Sequence, residues 1–180
     1  MRRMMAAFTA VMVFVFCFAG CGNKQSAAAG IDTPVTMEQV NTESRYVARA
    51  FLESIYSDDE AMFRKCYPDG FIDSVTEASG SNIFESYKNV MNINAVVTGT
   101  SDAGYQDFCV ANGFDEAGMR SRISFLTGLD YSEIGIIRIQ KVSVVFKNSA
   151  ETAVVDFYYI VYESGGSWYM LEGFKDEAGF

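Results

Sequence analysis

The chain has 180 residues, a formal net charge of −9 and 49% hydrophobic residues, with no histidine. Such an acidic surface is repelled by nucleic acid and by anionic lipid, which argues against either as a partner of the polypeptide itself. Without histidine there are no Ser-His or Cys-His nucleophile pairs and none of the usual zinc ligand sets, so any catalysis would rest on carboxylates, Lys or Tyr.

Arg2 and Arg3 open the chain, and no charge follows from Met4 to Asn23. A positive start followed by an apolar run reads as an export signal; a retained membrane helix is the alternative, because the run approaches the ~20 residues a bilayer needs. The junction Phe18-Ala19-Gly20-Cys21 favours the first reading. It resembles the lipobox of bacterial lipoproteins, although that family usually has Leu where this chain has Phe18. The resemblance implies a signal peptide over 1–20, cleavage before Cys21, and acylation of the Cys21 thiol. Two acyl chains hold a protein on a membrane where one holds it only marginally. Without the first twenty residues, Lys+Arg is 12 against 23 Asp+Glu, a charge of −11. Attachment would therefore come from the lipid.

Residues 21–36 form the lipidated cysteine and a small, polar tether. Asn23 to Thr36 spans about 20 Å if flexible. Residues 37–175 have the size of one domain. In it, Met37, Val40, Ser44, Val47, Phe51 and Ile55 recur at helical steps, which predicts a helix over 37–57. Ser57-Asp58-Asp59-Glu60 predicts a capping box, Ser57 to Glu60, for a second helix through Met62, Phe63 and Cys66. Pro68-Asp69-Gly70 is a turn. A third helical piece is predicted over 83–91, a strand over 93–98, and a helix over 115–127 stopped by Gly128. The last third reads as three antiparallel strands, 134–146, 152–162 and 167–174, with Gly165-Gly166 as the final hairpin turn. Cys66 and Cys109 either pair or stay as two buried thiols; spacing alone does not bring their Cβ atoms together.

The helix ending in AFLESIYSDDEAMFRKCYPDGF and the late strands VSVVFKNSAETAVVDFYYIVYESGGSWYMLEG resemble the ketosteroid-isomerase and nuclear-transport-factor-like group. That resemblance implies an α+β fold: N-terminal helices packed on a curved, cone-like antiparallel sheet. The group includes enzymes that use a pocket Asp with Tyr.

One charge stands out in the strand TAVVDFYYIVY. Alternation puts Asp156 on one face with Tyr158 and Tyr162, and Trp168 and Glu172 on the next strand are placed to approach it. If that face lines a pocket, the carboxyl would be desolvated and its pKa raised. On a partly solvated face it would pair with Lys141 or Lys147. No phosphate loop, dinucleotide fingerprint or calcium loop occurs. The reading is a lipid-anchored lipoprotein on the extracytoplasmic face of the cell membrane, without cofactor or metal. Its non-catalytic domain would bind a small apolar ligand or an envelope protein. A small-substrate enzyme built on a pocket Asp and Tyr, and a structural envelope component, are the alternatives.

Overall fold

The computed structural model describes residues 33–91, 95–147 and 152–175. The fold is α+β: among the described residues, six α-helices, one short 3₁₀ helix and one four-stranded antiparallel sheet. Helix α1, Ser44–Ser57, buries Val47, Ala48, Phe51, Leu52 and Ile55 along one stripe and crosses all four strands. It starts seven residues later than predicted. Residues 37–42 instead make turns, with Gln39 N–H donating to Thr36 O and Thr42 N–H to Gln39 O. The reason is Asn41, whose side chain donates to Lys65 O at 2.9 Å and to Trp168 O at 2.7 Å. Those bonds hold the chain out of helical register. Val35 is already buried, and its N–H donates to Glu53 Oε2 at 2.8 Å, so packing begins two residues before position 37.

The predicted capping box falls one step away. Ser57 belongs to α1 and donates back to Glu53 O, Asp58 closes the helix in the left-handed region at φ 59°, and Asp59 is the cap of the next helix. Its Oδ1 accepts from Met62 N–H at 2.9 Å. A carboxylate caps as well as a hydroxyl and also meets the positive helix end. Helix α2, Glu60–Lys65, follows, then the Pro68 turn, closed by Phe71 N–H to Pro68 O. Helix α3, Phe71–Ser79, was not predicted: Ile72, Val75 and Thr76 are β-branched and weaken the helical signal. Helix α4, Ile83–Val90, is capped by Asn82.

Strand β1, Ala95–Asp102, joins the three predicted strands as a fourth, so the meander is longer by one. The start of the predicted strand, Ile93-Asn94, and residues 148–151 lie outside the described residues. Strands β2 (Ile137–Lys147), β3 (Thr152–Ser164) and β4 (Ser167–Lys175) follow in the order β1-β2-β3-β4. Gly165 and Gly166 turn β3 into β4 with φ of 58° and 80°, the conformation a two-residue hairpin demands. On one sheet face Val97, Val142, Val144, Tyr159, Val161 and Met170 pack under α1 to α4. Gln140, only 2% exposed, donates from Nε2 to Ser44 Oγ at 3.1 Å and so ties β2 to α1.

The opposite face is covered too. Helix α5, Tyr105–Asn112, and helix α6, Glu116–Thr127, lay Phe108, Cys109, Met119 and Ile123 over Ile137, Ile139, Tyr158, Ile160 and Tyr162. Helix α5 was not predicted, whereas α6 matches its prediction, with Asp115 as cap and Gly128 as left-handed stop. Cys66 and Cys109 are free thiols in separate cores on opposite faces of the sheet. Labelling under denaturing, non-reducing conditions is expected to modify both.

Burial has a consequence at high pH. It pushes the Tyr56 phenol up to about 12 and holds Tyr67 and Tyr159 well above the usual 10. These groups release protons near 10 when unfolded but stay protonated when folded, so the unfolded state binds fewer protons above pH 10. Stability is therefore complete below about 10 and falls as pH rises through the folded values. Alkaline melts that show no fall in midpoint between pH 9 and 11.5 would contradict this.

Candidate functional site

On β3 the residues 154, 156, 158, 160 and 162 share the α5–α6 face, as alternation dictates. Asp156 lies beyond the helices. Its Oδ1 accepts from Ser143 Oγ at 2.6 Å, and its Oδ2 sits 3.3 Å from Lys141 Nζ. Both charged side chains are about one-third exposed. This is a cross-strand surface pair of the kind worth ~0.2–1 kcal/mol. Tyr158 and Tyr162 are buried beneath α5 and α6. The Tyr162 hydroxyl has no hydrogen-bond partner among the described residues, and burial, then the neighbouring Tyr169, pushes its pKa up.

Trp168 is not with them. It packs at the edge of the α1 core, with the Arg138 guanidinium 5.6 Å from its ring centre. The cause is the hairpin register: Ser164 pairs with Ser167 and Glu163 with Trp168, so Trp168 shares the face of Glu163 and Val161, opposite to that of Asp156. A β-bulge follows further along β4. Met170 pairs with Val161, but Glu172 pairs with Ile160, so Leu171 is the extra residue. Strict alternation puts Trp168, Met170 and Glu172 on one face; the bulge instead turns the phase between Met170 and Glu172. The described part of the set is thus split between a solvated rim, one core and the other core, and does not line one cavity. The Glu172 side chain lies outside the described residues.

Two clefts lie elsewhere. One, of about 370 Å³, is lined by Tyr105, Glu116, Arg120, Gly135, Ile136 and Ile137. Its cation is spent on structure. Arg120 Nε donates to Glu116 Oε1 at 3.1 Å, Nη1 donates to Ile134 O, and Nη2 donates to Gly135 O at 3.0 Å, stapling α6 to the lead-in of β2. Gly135 fits because a Cβ there would lie 1.9 Å from Glu163 Oε2. The Tyr105 phenol is pushed up by burial and by the Cys109 thiol beside it, so it stays neutral at ordinary pH. The other cleft, of about 400 Å³, is lined by Arg64, Lys65, Pro68, Asp69, Gly70 and Ile72. Here too the cations are engaged: Arg64 with Glu60 and Asp73, Lys65 with Met37 O at 2.6 Å.

The feature that sequence reading missed is on the surface. Val96, Val110, Phe125, Tyr131, Ile136 and Val154 are the exposed large apolar side chains among the described residues. Val96, Val110, Phe125, Tyr131 and Val154 lie on the α5–α6 side of the sheet, and Ile136 lines the cleft beside Tyr105 and Arg120. Val96 and Val154 flank Val145 in register across β1, β2 and β3; the other four sit on α5, α6 or their connections to β2. Val110 is 82% and Phe125 61% exposed. One signal was present in the sequence: Phe125 falls off the Met119, Ile123, Leu126 stripe of α6. Among the described residues, no helix is long and apolar enough to cross a membrane, and no group of three or more His, Cys, Asp or Glu is placed to hold a metal ion. No family model matches the chain, nor does any curated protein or solved structure.

Proposed function

We propose that this chain is a lipid-anchored lipoprotein on the extracytoplasmic face of the cell membrane, whose folded domain is a non-catalytic binding module for another envelope protein. The gathering of five of the six exposed large apolar side chains on one side of the sheet carries the reading. Scattered apolar residues on a surface are ordinary, but a one-sided set marks a contact surface. Helices α1 to α4 on the other side carry none among the described residues. An enclosed apolar pocket would have supported a small-ligand reading; the two clefts are instead open and lined by charge pairs.

The anchor rests on Phe18-Ala19-Gly20-Cys21, which lies outside the described residues. Cys21→Ala is expected to leave an uncleaved, unacylated precursor in the native host, seen by intact mass. Normal processing of that variant would refute the anchor. The binding role is tested by amine-reactive cross-linking of intact cells producing the full chain. A reproducible adduct with a second, different protein is expected, and its absence at saturating reagent counts against the reading.

A further inference from the structure

We infer that the α5–α6 surface takes a cationic polypeptide that presents apolar side chains. The inference rests on the binding-module reading above and names the chemistry of its partner.

The first support is the construction of the two helices. A solvent-facing helix normally keeps its outer face polar. Helix α5 exposes Val110, and α6 exposes Ala117 and Gly118 as well as Phe125. Phe125 lies one turn beyond Ser121, whose hydroxyl bonds the exposed Tyr131 phenol, so Phe125 and Tyr131 border a common patch. These side chains are not needed by the core below, which Phe108, Met119 and Ile123 already fill.

The second support is charge. Between residues 103 and 135 stand five carboxylates, Asp107, Asp115, Glu116, Asp130 and Glu133, against two guanidiniums, Arg120 and Arg122, a net of −3. All five acids belong to exposed residues, and Arg120 is turned inward onto Glu116 and backbone carbonyls. An apolar patch carried on an acidic stretch of chain selects against wrong partners by like-charge repulsion. A second copy would bring the same acids face to face, and an anionic bilayer would meet the same field. A basic surface with apolar side chains satisfies both the patch and that charge.

The test places a photo-cross-linking p-benzoylphenylalanine at position 125 of the full chain in its native envelope, and in a parallel strain at Glu77 on the exposed side of α3. The expected result is an adduct from position 125 only. Its cross-linked peptide, sequenced by mass spectrometry, carries net positive charge. The adduct yield falls as salt is raised from 50 to about 500 mM, as exposed charge pairs are screened. Asp107→Lys is expected to lower the yield about two- to five-fold, and Glu77→Lys to leave it unchanged. A neutral or acidic peptide of another protein, or equal yields of such a protein at both positions, overturns the inference while leaving protein binding standing; adducts only to this chain itself or to lipid overturn both. No protein adduct at either position overturns the binding-module reading and this inference with it.

Discussion

Glu53→Ala is expected to remove about 3–5 kcal/mol of unfolding free energy, read as a shift of the urea midpoint at constant slope. Arg49 is 4% exposed, and its Nε meets Glu53 Oε1 at 2.7 Å in an i,i+4 pair inside α1. The second carboxylate oxygen accepts the Val35 N–H. Truncation therefore breaks the ion pair that the buried guanidinium makes through Nε and unfastens the segment that enters the core. Breaking a buried ion pair costs far more than an exposed pair gains. Glu53→Gln separates the two roles, since an amide oxygen still accepts from Val35 but carries no charge. It should recover less than half of the loss. A shift below about 1 kcal/mol for both variants would mean that water reaches Arg49 and that the pair behaves as a surface one.

Phe63→Ala is the second large effect, again about 3–5 kcal/mol. Phe63 is fully buried, with its ring centre 5.1 Å from Phe84, 5.4 Å from Tyr67, 5.6 Å from Phe51 and 5.8 Å from Tyr87. One short helix thus supplies the ring that joins α1, α2 and α4. Those neighbours are stiff aromatics and cannot collapse into the space a methyl would leave, so the cavity term is close to its maximum. Phe63→Leu keeps most of the volume and should cost well under half as much. Against a usual total of ~5–15 kcal/mol, the alanine variant should melt far earlier or fail to fold. An unchanged melting midpoint would show that the aromatic cluster is not the centre of the α1 core.

Periodicity made α1, α2, α4 and α6 legible, because each buries one stripe while most of its charges stay outside, the Arg49–Glu53 pair of α1 excepted. It also made β2, β3 and β4 legible through alternation and the double glycine. What stayed hidden depends on contacts distant in sequence. The start of α1 is set by Asn41 reaching Lys65 and Trp168, which no local window contains. The hairpin register, with Glu163 opposite Trp168, sets Trp168 and Met170 on the face away from Asp156, and the β4 bulge at Leu171 then breaks an alternation that looks regular in sequence. Helix α5 carries apolar residues on both sides, so it gives no helical stripe. The candidate contact surface was obscure for the same reason: a residue left exposed on purpose looks, in sequence, like any other hydrophobe.

The clasp at Asn41 also sets when this protein can finish folding. Its carbonyl accepts the Trp168 N–H, its amide answers Trp168 O, and the neighbouring Cys66 O takes the Met170 N–H. The early helices are thus latched to a ribbon made almost last, across 127 positions of chain. During synthesis or passage through a pore, they have no floor to rest on until that ribbon emerges. Completion should be late, slow and all at once, so a chain stopped before Ser167 would leave its greasy helical half naked to proteases.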